Sequence, residues 1–187
     1  MFLHRIGTNE KEDLLIYEEE DDGVFLDVSL SKDERWMMIS ANSKDSSEVR
    51  LIDARNPTSP PLLVQQRSAG VKYFLDHAEG QFFCVTNKDG AHNFKLLVAS
   101  SDHMLSHLRA PTGAGVPACV PWREMVSCQT NATILDVDIF QDHIVTYLQD
   151  SGRHMMLVYE RASLEKEPYR VPLPSDYVGD LNDYFAG

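Results

Sequence analysis

The chain of 187 residues has few cysteines, a deficit of basic side chains and no long apolar run, and each shortage excludes a class of protein. Its three cysteines, Cys84, Cys119 and Cys128, are an odd number without CxxC spacing. Such usage points to reduced thiols and a cytoplasmic setting rather than a disulfide framework. Lys and Arg number 17 against 29 Asp and Glu, a net charge of −12. An acidic surface repels phosphate, so nucleic acid is excluded as a partner. No apolar run approaches the roughly 20 residues of a membrane helix, so no membrane partner is expected. The charged start, Met1–Glu10, lacks the apolar segment of a secretory signal. Convincing amphipathic helices are missing as well. The best candidate, Asp102–Arg109, is short and is followed by Pro111.

What is present is a succession of short β-rich runs. Val, Ile, Leu, Phe and Tyr concentrate at residues 14–17, 24–30, 36–40, 49–52, 71–75, 82–86, 94–99, 134–140, 144–148 and 155–159. Between them stand turn sequences: Ser31-Lys-Asp-Glu, Asn87-Lys-Asp-Gly and Gln149-Asp-Ser-Gly. Several runs are continuously apolar, as in strands buried on both faces. The expected class is all-β.

The runs also repeat. Ser29–Asn42, Asp76–Asn87 and Asp138–Gln149 each pair a strand, a tight turn and a second strand. Each leads through a polar loop to a third strand, at Ser47–Asp53, Asn93–Ala99 and His154–Glu160. Fourth strands fit at 62–66, 124–128 and 169–173. The second strands begin near Trp36, Phe82 and Ile144, which are set down as equivalent core positions. The longer second period is accounted for by a Pro- and Gly-bearing loop insertion at 100–121. Four antiparallel strands per unit of about 45 residues is the pattern of a β-propeller blade, because stacked sheets cover faces that one sheet cannot bury alone. A β-sandwich of short strands is the alternative on periodicity. The expected organisation is a partial β-propeller over 1–187, of about three and a half blades. Residues 2–19 form the last strands of one blade. Blades follow at 24–66, 71–128 and 134–173, and 174–187 starts the next segment.

The stretches His4–Thr8, Asp13–Glu19, Ser46–Asp53, Gly70–Tyr73, Val85–Leu96, Asp136–Phe140 and Asp142–Val145 resemble, in the same order, the propeller of the oligopeptidase B branch of the prolyl oligopeptidase family of serine peptidases. The resemblance implies a seven-bladed propeller partnered by a C-terminal α/β-hydrolase domain with a Ser-Asp-His triad. It implies cleavage of short basic peptides after Arg or Lys, with the propeller restricting access. The family's nucleophile sits in a G-x-S-x-G elbow. No pair of this chain's ten glycines frames that pattern. The α/β-hydrolase domain is therefore expected to be absent, no catalytic, cofactor-binding or metal-ligating residue is assigned, and no cofactor is implied. A stand-alone propeller-derived interaction module is the second functional reading.

Other suggestive residues have plainer readings. His103 and His107 lie four apart without a third ligand and are read as surface loop. Asp136 and Asp138 share a strand face but are read as aspartates of turns and caps at a strand edge, not an acid/base pair. The acidic run Glu18–Asp22 is read as a solvated turn. Cys84, inside an apolar run, is read as a core thiol. Asn131-Ala-Thr133 is a glycosylation sequon without meaning in a protein that is not secreted.

Overall fold

The computed structural model describes residues 1–109, 120 and 122–173. The middle of the expected insertion, with Cys119, and the expected start of a further segment at 174–187 lie outside the described residues.

Fourteen strands form among the described residues, nearly all of them where β-branched and aromatic side chains cluster. Strands β1 (Phe2–Leu3) and β2 (Leu14–Leu15) make a two-stranded sheet. The first four-stranded sheet is built from β3 (Phe25–Leu30), β4 (Trp36–Asn42), β5 (Ser47–Asp53) and β6 (Leu62–Gln65), paired in that order. The second takes β7 (Tyr73–Ala78), β8 (Gln81–Thr86), β9 (Lys95–Ser100) and β10 (Arg123–Val126). The third takes β11 (Ala132–Ile139), β12 (His143–Asp150), β13 (Arg153–Glu160) and β14 (Tyr169–Arg170). Each is a meander in which neighbours in sequence are neighbours in space. The fold is all-β and is a partial β-propeller. The chain divides into two compact units, Met1–Phe82 with Ala99–Pro121 and Phe83–Val98 with Trp122–Gly187.

Turn chemistry sets the tightest hairpins. Glu79 and Gly80 between β7 and β8, and Ser151 and Gly152 between β12 and β13, all have positive φ. That is the backbone of the two-residue turn whose twist matches the strands on either side. Asp150 pairs with Arg153 directly across the second of these.

Three expectations are corrected. The start of the 100–121 insertion is a helix, α1 (Ser101–Leu108), not a loop. The Ser100 side chain caps it by accepting from the His103 amide, and Met104 is fully buried beneath it. One buried side chain in eight residues is too sparse to show as apolar periodicity. The strand expected across 14–17 is only Leu14–Leu15, because the Ile16 and Tyr17 amides both converge on the Met1 carbonyl instead of continuing a regular ladder. Third, Trp36 and Phe82 are both buried but are not equivalent. Trp36 opens β4, whereas Phe82 is the second residue of β8, and their ring centroids lie 5.7 Å apart. Side chains from adjacent sheets that touch point toward each other, so they occupy opposite faces of their own sheets.

Candidate functional site

The described residues with the most chemistry in their arrangement meet where the first two sheets touch, within the first unit. Ser31 and Asp33 belong to the β3–β4 turn, His77 to β7, and Ser101 to the first turn of α1. The Ser31 hydroxyl accepts from the Trp36 amide at 3.0 Å and donates to Asp33 at 2.9 Å. His77 Nδ1 contacts both oxygens of Asp33, at 3.0 and 2.9 Å, and Nε2 stands 2.7 Å from Ser101 Oγ. A carboxylate facing Nδ1 holds the proton there, leaving Nε2 to accept from the Ser101 hydroxyl. The Ser101 amide donates to the Gly80 carbonyl at 2.9 Å, tying α1 to the β7–β8 turn. Burial alone would raise the Asp33 carboxyl, but hydrogen bonds from His77 and Ser31 outweigh it and hold the group below its ordinary value.

Carboxylate, imidazole and hydroxyl in this order are the groups of an acyl-transfer triad. Their exposure runs the wrong way for that chemistry. A catalytic relay hides its carboxylate and opens its imidazole and hydroxyl to substrate. Here 30% of the Asp33 side chain is accessible but only 4% of His77. The imidazole is closed in by Trp36 and Phe82, at centroid distances of 6.3 and 4.5 Å. An imidazole so enclosed has no route to a leaving group. The arrangement works instead as a clasp, satisfying buried polar groups while joining a turn, a strand and a helix.

A second cluster lies at residues 17–19. Glu19 accepts from Arg67 Nη2 at 2.8 Å and from the Tyr17 hydroxyl at 2.9 Å. The Tyr17 ring lies 4.4 Å from the Arg50 guanidinium, and Arg50 in turn pairs with the buried Glu48. The Arg67 hydrogen bond is the main cause that holds the Glu19 carboxyl below its ordinary range. The acidic run is thus not wholly a solvated turn: Glu19 leaves it to pair with Arg67.

The remaining sequence candidates do not assemble into a site. His103 is exposed and His107 half-buried on α1, so they share a helix after all. No group of three His, Cys, Asp or Glu that could hold a metal exists among the described residues. Asp136 and Asp138 stand within edge strand β11 beyond a register shift, not in a turn or cap, and Asp138 accepts from the Tyr147 hydroxyl at 3.0 Å. Cys84 is buried, which pushes its thiol up to about 12. Among the described residues, no helix is long and apolar enough to cross a membrane. Sequence reasoning missed Asp33, His77 and Ser101, which are 44 and 24 residues apart and share no local motif. The Ser31-Lys-Asp turn was the one visible signal.

A family model described as "Prolyl oligopeptidase, N-terminal beta-propeller domain" matches residues 1–178. Over 145 residues the chain is 34% identical to the chicken (Gallus gallus) protein named "Prolyl endopeptidase-like", covering 78% of this chain and 18% of that one. Over 97 residues it is 38% identical to "Protease 2" of Moraxella lacunata, covering 52% of this chain and 14% of that protein. The chain therefore spans less than one-fifth of the length of these relatives. Among solved structures, oligopeptidase B from Leishmania major superposes with a TM-score of 0.78 at 20% identity, over 94% of this chain and 24% of that one. At that identity the likeness concerns the fold.

Proposed function

Because the chain belongs to the family of prolyl oligopeptidase N-terminal β-propeller domains, we propose that it acts as the non-catalytic propeller portion of a serine peptidase, with a partner α/β-hydrolase domain supplying the nucleophile. The observation that carries this reading is the run of three consecutive four-stranded antiparallel sheets inside the matched segment. Stacked blades form a wall that excludes large substrates, so the propeller restricts the enzyme to short peptides. The finer assignment is to the oligopeptidase B branch, cleaving after Arg or Lys. It rests on the resemblance in sequence order and on the 38% identity to Protease 2.

A segment exchange tests it. Residues 1–178 replace the matching part of the Moraxella lacunata Protease 2, and the hybrid is assayed on a fluorogenic dipeptide ending in Arg and on casein. The expected hybrid hydrolyses the dipeptide and spares casein. A folded hybrid that digests casein overturns the gating role, and a folded but inactive one overturns the family role. The 187-residue chain alone is expected to take no label from a fluorophosphonate probe, since an acyl-transfer route needs an accessible nucleophile beside its base.

A further inference from the structure

The strap that leaves β2 and enters β3, residues 16–24, contains no strand or helix. It carries Tyr17, followed by five consecutive acids, Glu18–Asp22. Glu18, Glu20, Asp21 and Asp22 are exposed, whereas Glu19 is turned inward to Arg67. Tyr17 is half-buried, and it is the one described tyrosine that lies outside a strand.

Donors outnumber acceptors around it. Glu19 Oε2 accepts from both the Tyr17 hydroxyl and Arg67 Nη2, while Oε1 accepts from the Asp21 amide at 3.2 Å. Arg67 Nη1 is buried and has no hydrogen-bond partner among the described residues. A guanidinium N–H left so is costly, and its acceptor is the missing element of this cluster. The Arg67 backbone amide donates to Glu48 Oε2 at 3.1 Å, which fixes the base of the side chain. Arg50, paired with Glu48, lies over the Tyr17 ring and fixes its orientation.

We propose that Tyr17 is a phosphorylation site for a protein tyrosine kinase, and that its phosphate takes Arg67 from Glu19 and fastens the strap to the first sheet. The γ-phosphoryl group of a nucleoside triphosphate passes to the Tyr17 oxygen. The new P–O bond forms as the bond to the bridging oxygen of the departing diphosphate breaks, and the phenolic proton goes to the kinase's base. Because the hydroxyl and Arg67 Nη2 share one carboxylate oxygen, a phosphate on the hydroxyl stands where that oxygen stands now. Its three oxygens can engage Nη1 as well as Nη2, in the paired geometry that guanidinium and phosphate favour. Glu19 then joins its exposed neighbours in water. The exposed carboxylates beside Tyr17 supply the charge pattern by which a kinase selects its acceptor, and the absence of a strand ladder over residues 16–24 lets the strap open into the kinase's groove.

The test treats the 187-residue chain and a synthetic peptide of residues 10–24 with a broad-specificity tyrosine kinase and ATP, and maps phosphate by mass spectrometry. Tyr17 is expected to be modified in both. A tyrosine phosphatase should then strip the folded chain about tenfold more slowly than the peptide, because release requires the strap to open. Arg67→Gln should remove that protection. Glu19→Gln should keep it, since Glu19 no longer holds Arg67 once the phosphate does. A phosphorus-31 titration of the unsubstituted chain needs no variant: the guanidinium favours the dianion, so the second ionisation should lie below that of the peptide, at about 6. Four results overturn the proposal: no phosphate on Tyr17 of the chain when the peptide is fully modified, equal rates of removal, protection that a folded Arg67→Gln variant retains, or a titration no lower than the peptide's. No readout depends on peptidase activity.

Discussion

The contact of the first sheet with the second and the contact of the second with the third are made in different ways. At the first, the polar groups lie among rings: His77 between Trp36 and Phe82, with Asp33 and Ser101 on its two nitrogens. At the second, within the other compact unit, the hydrogen bonds centre on Asn93, and the Arg161 guanidinium lies 5.6 Å from the Phe83 ring. Asn93 Nδ2 donates to the Gln129 and Thr130 carbonyls at 2.8 and 3.0 Å, and its Oδ1 accepts from Thr133 Oγ1 at 3.0 Å. The Asn93 carbonyl also accepts from the Ile134 amide at 3.1 Å. Asn93 is half-buried, near water that can substitute for a lost partner. The comparison teaches that one repeat pattern tolerates two fastenings, and that the buried one is the more costly to break.

The largest expected effect is at the aromatic pair. Trp36→Ala or Phe82→Ala should destabilise by about 3–5 kcal/mol in urea unfolding, since each removes a large fully packed ring. The double variant should cost less than the two separate losses combined, because the rings touch each other. Full additivity would show that they act apart. Next comes His77→Ala, which removes a buried ring packed against Trp36 and Phe82 together with its hydrogen bonds to Asp33 and Ser101, and should cost about 2–3 kcal/mol. A loss no larger than that of Asn93→Ala would break the comparison. Asn93→Ala itself should cost about 1 kcal/mol, because its partners are carbonyls and a hydroxyl that water can reach. Faster exchange at the Ile134 amide would mark the loss as local.

The Asp33 carboxyl supplies a pH test. Its folded value lies below the ordinary 3.8, so its contribution to stability is complete above that value and is lost as pH falls through the lower folded one. Melting temperature should fall below about pH 4, and Asp33→Asn should flatten the fall. An unchanged acid slope in the variant would show that other carboxylates cause it. The smallest effect is at His103: exposed on α1, its replacement by Ala should shift stability by less than about 0.5 kcal/mol.

Much of this architecture was legible in the chain. The β-rich runs marked nearly all the strands, because an interior strand in a stacked sheet needs apolar side chains on both faces. Asp-Gly and Ser-Gly marked hairpins, because positive φ favours those residues. The helix at Ser101–Leu108 was not legible: only Met104 on it is buried, and its start depends on the Ser100 cap. Glu19 was equally hidden inside a run of five acids, since its partner Arg67 is 48 residues away.

By itself, then, the sequence determined the class, the four-strand repeat and the turns, all of which depend on residues within a few positions of one another. Only the tertiary structure decided which side chains meet. Trp36 and Phe82 come from the second strands of successive sheets, yet their rings lie 5.7 Å apart, so each points toward the other's sheet and they are facing partners rather than equivalents. The clasp followed from the same step. Asp33, His77 and Ser101 have no common pattern along the chain, and the packing of one sheet on the next brings a carboxylate, an imidazole and a hydroxyl within 3.0 Å of one another in sequence, closed off by two rings.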